Sequence, residues 1–376
     1  MAEGGNALLG KRGIALAAVV GLAVVAVGGT AVAEPSVEQA DRVDRQVVQR
    51  ALDDMARTGA QGVQARVTDG RREFTARSGT ARVDSPRPVP TDGRFRVGSI
   101  TKTFVSTVVL QLVGEGKVEL DAPVQRYLPG LLPQGDRITV RQVLQHTSGL
   151  YNYTSALPLD PDGLLTIRYR TWTPAELVAL STARPLDFEP GTRWSYSNTN
   201  YVVAGMLVEK VTGKPYEAAV TQRVLRPLGL RSTSVPGTRA DIAGPHAHGY
   251  IRAAGGVVDI TEMNPSVAYA AGEMISTTAD LDRFVDALLD GRLLRPAQQA
   301  ELTSTLPITG GYALGIEAQQ LPCGVTVWGH SGGIPGYASL MLSTADTKTR
   351  LTVSVTSAPD PGPITGYEEL VNEVFC

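Results

Sequence analysis

The spacing of apolar residues changes period several times along the chain, and each change marks an element. Between residues 37 and 58 the apolar side chains fall at Val37, Ala40, Val43, Val47, Ala51 and Met55. That spacing of three or four predicts an amphipathic helix ending near Gly59. Residues 62–68 and 72–79 then read as two strands joined across Asp69-Gly70, a hairpin signal. Residues 82–93, rich in Pro and Asp, predict a loop. After Ser99, the run Ile100, Phe104, Val108 and Leu112 repeats every four residues and predicts a helix closed by Gly114 and Gly116. Residues 117–255 hold more helical patterns, at 139–145, 174–181 and 200–212, broken by Pro and Gly. A capped helix is expected over 278–289, strands over 324–328, 337–343 and 350–356, and a last helix over 367–375.

Strands therefore lie at both ends of the chain and helices in the middle. The fold class this predicts is α+β: an antiparallel sheet flanked by N- and C-terminal helices, with an inserted all-helical lobe. In residue numbers, the sheet lobe is 34–95 plus 256–376 and the mainly helical lobe is 96–255. A ligand cleft is expected between them.

Composition narrows the function class. With 376 residues, 43% of them apolar, there is ample core for two lobes. A net charge of -2 excludes a basic face for nucleic acid. Lys11 and Arg12 precede an uncharged stretch, 13–33, that closes on Ala31-Val32-Ala33. This reads as a signal peptide over 1–33, cleaved after Ala33, which makes the protein secreted with no stable membrane partner afterwards. An uncleaved anchor is the alternative, since twenty-one uncharged residues just span a bilayer. The two cysteines, Cys323 and Cys376, form an even count that favours a disulfide in an exported chain; two free buried thiols are the alternative.

Three short motifs carry candidate chemistry. In Ser99-Ile100-Thr101-Lys102 the positions i and i+3 share one helix face, so Lys102 stands one turn from the Ser99 hydroxyl and can take its proton. A helix N-terminus there also aims N–H groups at a reacting carbonyl. In Tyr196-Ser197-Asn198 a phenol can shuttle protons where cations lower its pKa, and an amide can bind both a substrate carbonyl and a lysine ammonium. His330-Ser331-Gly332-Gly333 follows the strand expected up to Trp328, and its glycines allow a backbone N–H close to a substrate. His246-Ala247-His248 has no acidic or Cys partner at ligand spacing and is not read as a metal site, and His146 is read as structural.

Taken in this order, the three motifs resemble those of the serine penicillin-recognising enzymes, the serine β-lactamases and D-alanyl-D-alanine carboxypeptidases. The surrounding text is most similar to the secreted DD-carboxypeptidases of actinomycetes: Arg96-Val97-Gly98-Ser99, Arg137-Ile138-Thr139-Val140-Arg141-Gln142, His146-Thr147-Ser148-Gly149-Leu150-Tyr151, Asn198-Thr199-Asn200-Tyr201 and the late cysteine pair. The resemblance implies an acylated Ser99, with Lys102 and Tyr196 sharing the proton transfers. It also implies substrate binding by Asn198, His330, Ser331 and Gly332, and an oxyanion hole from the N–H groups of Ser99 and Gly333. His330 replaces the lysine that many relatives carry in the third motif. No metal or cofactor is implied, and a monomer acting on a small peptide, ester or β-lactam is expected. The leading expectation is a D-alanyl-D-alanine carboxypeptidase. The alternatives are an esterase, a D-aminopeptidase or class C-like β-lactamase, or a penicillin-binding sensor that does not turn over. One departure bears on this choice. The resembled carboxypeptidases hold a substrate carboxylate with an arginine shortly before the first cysteine, where this chain reads Glu317-Ala318-Gln319-Gln320.

Overall fold

The computed structural model describes residues 43–376. The segment read as a signal peptide, 1–33, and the start of the helix expected from residue 37 lie outside the described residues. The helix seen, α1, is Arg45–Thr58; the Asp44 carboxylate accepts the Gln46 N–H as its cap, and Val48, Ala51, Leu52 and Met55 form its buried stripe.

In chain order there follow β1 (Ala60–Asp69), β2 (Arg72–Arg82), β3 (Ser85–Pro88) and β4 (Phe95–Arg96). Next come the helices α2 (Thr101–Gly114), α3 (Val140–Leu144), α4 (Pro161–Ile167), α5 (Pro174–Thr182), α6 (Asn198–Thr212), α7 (Tyr216–Val220) and α8 (Arg226–Leu228). After β5 (Tyr250–Ala253), β6 (Gly256–Asp259) and β7 (Ile275–Ser276) come α9 (Thr278–Leu289) and α10 (Pro296–Leu302). The chain ends with β8 (Glu317–Gln320), β9 (Thr326–Ile334), β10 (Tyr337–Thr344), β11 (Thr349–Ser357) and α11 (Tyr367–Phe375).

Seven strands make one antiparallel sheet in the order β3-β2-β1-β11-β10-β9-β8, so the two ends of the chain meet where β1 pairs β11. One face is covered by α1 and α11, whose Leu52, Met55, Leu370 and Val374 pack with Val63, Val67, Leu342 and Val353 in one apolar core. On the other face lies α9. Arg350 of β11 grips Asp282 of α9 through two nitrogens, at 2.9 and 3.0 Å. A second, larger core joins α9 to the helical insertion, and in it Phe104 of α2 stacks on Phe284 of α9 with ring centroids 3.6 Å apart. α2 is buried on all sides from Thr101 to Leu110, as a helix through the centre of a domain must be.

The α+β architecture stands as expected, with several differences in detail. The insertion is not all-helical: β4 pairs β7, and β5 pairs β6 as a hairpin with Tyr250 opposite Asp259. The expected lobe boundary between 255 and 256 falls inside that hairpin. Part of the expected loop 82–93 is the edge strand β3, where Pro86 and Pro88 are tolerated because an edge leaves N–H positions unused. The strand expected to stop at Trp328 runs on to Ile334, and β8 was not foreseen. Strands of two to four residues carry too few positions for a period to show.

Candidate active site

Ser99 lies in a single 3-10 turn, Gly98–Ile100, that leads into α2. Gly98 has φ 52°, and a side chain there would strike the backbone of Gly333, its Cβ falling 2.7 Å from Gly333 N. Gly332 is still more confined: a Cβ would lie 1.9 Å from Val97 O. The two glycines let β9 lie directly against the nucleophile turn. The glycine pair thus carries β9 past the nucleophile turn and sets the Gly333 backbone against Gly98, the residue before Ser99. Ser331 and Gly333 are exposed at the cleft, whereas His330 is buried.

Lys102 is fully buried, and its Nζ donates to Ser99 Oγ (2.9 Å), Asn198 Oδ1 (2.8 Å) and Ala271 O (2.6 Å). Three donors thus meet three acceptors. Burial still holds the ammonium well below the usual lysine range, which makes Lys102 a readier proton acceptor than an exposed lysine. Its Nζ also lies 4.9 Å from the centroid of the Tyr196 ring. Burial pushes the Tyr196 phenol up, while the neighbouring Ser99 hydroxyl pulls it partly back. The phenol is therefore neutral in the resting site; desolvation sets its state, and its pKa is raised where the sequence suggested that a cation could lower it.

Asn198 is placed by the N-terminus of α6, its own N–H donating to Asn152 Oδ1 at 3.0 Å. Behind it runs a hydrogen-bond chain whose polarity is set at one end. His146 Nδ1 accepts from the Ser197 N–H (3.2 Å) and from Asn200 Nδ2 (3.0 Å), so the His146 proton is on Nε2. Nε2 donates to Tyr312 Oη (3.3 Å), Tyr312 donates to His330 Nε2 (3.0 Å), and His330 Nδ1 donates to Ser331 O (2.5 Å). Both rings are buried, and desolvation, with the Lys102 charge adding to it, lowers His146 well below the usual histidine range and His330 to about 3. His330 is neutral, with both nitrogens engaged inside the protein.

The residues of the three sequence motifs thus meet at one cleft. Lys102 touches Ser99, Asn198 and the Tyr196 ring, Tyr196 neighbours Ser99, and the strand from His330 to Gly333 forms one wall. His146, read as structural, also packs against Tyr196, the rings tilted with centroids 4.3 Å apart. The sequence reading missed Ala271, Asn152 and Tyr312. Ala271 acts through a backbone carbonyl 169 residues from Lys102, and no side-chain motif marks it. Elsewhere, His246 and His248 stack at 5.0 Å, and His248 Nδ1 pairs with Asp259 at 2.6 Å. Cys323 and Cys376 form a disulfide.

A serine at the entry to a buried helix, a desolvated lysine one turn on and a facing Tyr-x-Asn, set on this sheet and its insertion, are the arrangement of the β-lactamase and transpeptidase-like fold. The Beta-lactamase family model matches residues 45–371, and the chain belongs to that family. Penicillin-binding protein 4* of Bacillus subtilis (strain 168) is 28% identical over 290 residues, 73% of this chain and 63% of the relative. Esterase EstB of Burkholderia gladioli is 35% identical over 211 residues, 54% of this chain and 53% of the relative. The chain spans 63% and 62% of the length of the first curated relatives. Among solved structures, a D-stereospecific amidohydrolase from Streptomyces sp. is 44% identical with a TM-score of 0.82, covering 89% of this chain and 99% of that one. The D-amino acid amidase from Ochrobactrum anthropi SV3, complexed with L-phenylalanine amide, is 31% identical with a TM-score of 0.77, covering 88% and 97%.

Proposed function

We propose that this protein hydrolyses amide bonds of D-configured acyl donors through an acyl-Ser99 intermediate. Ser99 Oγ attacks the acyl carbon as its proton passes to Lys102 Nζ. The N–H groups of Ser99 and Gly333 hold the oxyanion, and Asn198 orients the substrate amide. Tyr196 hands the proton on to the departing nitrogen, and water then frees the acid by the same groups in reverse.

The observation that carries the choice of amide over carboxypeptide is the charge along the third-motif wall. His330 is neutral, and Glu317 stands opposite Gly329 in the β8–β9 register, close enough for its carboxylate to help push the Tyr196 phenol up. A leaving group ending in a free carboxylate meets an acidic neighbour on this wall, whereas ammonia or a neutral amine does not. Similarity to the D-stereospecific amidohydrolase over nearly the whole chain supports the same reading.

The D-alanyl-D-alanine carboxypeptidase reading shares the acyl-serine and differs in the leaving group; similarity to penicillin-binding proteins favours it. Turnover of D-phenylalanine amide, L-phenylalanine amide, a D-Ala-D-Ala peptide and a short-chain p-nitrophenyl ester separates the two. The D-amide is expected to exceed both its L counterpart and the D-Ala-D-Ala peptide in kcat/KM. Faster cleavage of the D-Ala-D-Ala peptide would overturn the amidase reading. Export with removal of residues 1–33 belongs to the same proposal and is supported by the Cys323–Cys376 disulfide.

A further inference from the structure

Behind Lys102 lies a buried acid that the reaction above does not use. The segment from Tyr269 to Met274 embraces the nucleophile turn with three hydrogen bonds. Ala271 O accepts from Lys102 Nζ at 2.6 Å, the Met274 N–H donates to Thr101 Oγ1 at 3.2 Å, and Met274 O accepts the Val97 N–H at 2.9 Å. The segment itself is strained: Tyr269 has φ 40°, a conformation costly for a bulky residue and sustained only where the surroundings enforce it. One side chain inside the segment ties it outward. Glu273 is 1% exposed, and its Oε1 accepts from the Tyr216 hydroxyl at the start of α7.

We propose that Glu273 is a positioning residue for Lys102: through Tyr216 it anchors the Tyr269–Met274 segment to α7 and so keeps the Ala271 carbonyl on the lysine ammonium. The groups facing Glu273 favour its protonated form. Glu209 of α6, which accepts the Tyr216 N–H, is near enough for its charge to act on Glu273, and the phenols of Tyr216, Tyr269 and Tyr153 lie nearby, with Glu217 of α7 beside Tyr269. The Gly237 N–H pulls the other way. Burial dominates and raises the carboxyl to about 8 from its ordinary 4.5, so it is a neutral acid at pH 7. The stability it contributes is therefore full below about 4.5 and is lost as pH rises through about 8. Ionisation would leave a buried charge beside Glu209, with Oε2 already without a hydrogen-bond partner among the described residues.

The test is a set of pH–rate profiles for the parent, Glu273→Gln, Glu273→Ala and Tyr216→Phe, with melting temperature followed at each pH. Gln keeps an acceptor for Tyr216 and cannot ionise. Glu273→Gln is expected to hold kcat within about threefold of the parent at pH 7, whereas Glu273→Ala and Tyr216→Phe lose about tenfold in kcat with KM nearly unchanged. The parent is expected to lose melting temperature as pH rises from about 5 to about 8 and kcat as pH passes through about 8, and Glu273→Gln to be spared both. The inference is overturned if Glu273→Ala or Tyr216→Phe is as fast as the parent, or if Glu273→Gln follows the parent's alkaline loss. If Glu273→Ala does not fold, Tyr216→Phe and the Gln profile decide. The inference rests on Lys102 moving the Ser99 proton, so Ser99 acylation is mapped in the parent first. No adduct on Ser99 overturns both readings, while an adduct with unaffected variants overturns this one alone.

Discussion

At the scale of single residues the account turns on one buried ammonium. Lys102 has three acceptors and no carboxylate among them, so no opposite charge offsets its desolvation. Because burial depresses its pKa, the deprotonated base is reached at lower pH than in an exposed lysine, and activity is expected to rise with pH as Lys102 loses its proton. Lys102→Arg keeps the charge but cannot deprotonate, and is expected to lose acylation together with that acid limb. Lys102→Ala and Tyr196→Phe are each expected to lose about 10² or more in acylation rate, and the double variant to be little worse than either single. Rates that multiply in the double variant would show that the two residues act independently. Ser99 and Lys102 were legible because i and i+3 on a helix are a geometric statement. The neutral, inward-facing His330 was not: its state depends on Tyr312, eighteen residues upstream, and on burial, neither of which a motif encodes. The loss of Glu273 function above about pH 8 also belongs to this scale.

At the scale of elements, the site depends on one strand lying against one helix turn. Gly332→Ala would press a methyl group onto Val97 O, from which its Cβ would stand 1.9 Å. The substitution is expected to push β9 away from Ser99 and cost about 10² in acylation through a displaced oxyanion donor, with far-UV circular dichroism unchanged. A rate within threefold of the parent would refute this use of the glycine. Phe104, stacked on Phe284, seats α2 on α9; Phe104→Ala is expected to cost about 3–5 kcal/mol in denaturant unfolding. The long elements were legible: the β1–β2 hairpin across Gly70, α2, α9 and α11 all fall where apolar spacing puts them. β8 and the β4–β7 pair were not, because their residues gain strand conformation from the neighbour they join and not from their own pattern.

At the scale of the whole molecule, the N- and C-terminal parts of the described chain close a single sheet, and the helical insertion supplies Lys102, Tyr196 and Asn198 to the cleft at its edge. The Cys323–Cys376 disulfide ties the end of α11 to the β8–β9 turn, across 53 positions of sequence. Removing it by Cys323→Ser with Cys376→Ser is expected to lower unfolding free energy by about 4 kcal/mol on the chain-entropy model, read from the urea midpoint, while Ser99 remains acylable. The order of strands and helices made the α+β class legible from sequence, whereas the meeting of β1 with β11 requires the closed sheet. The most direct measurement is intact mass with peptide mapping after the protein is quenched during reaction with a β-lactam. The account requires one acyl adduct, on the peptide that carries Ser99, and none in Ser99→Ala. An adduct on any other serine, or one that persists in Ser99→Ala, would contradict it.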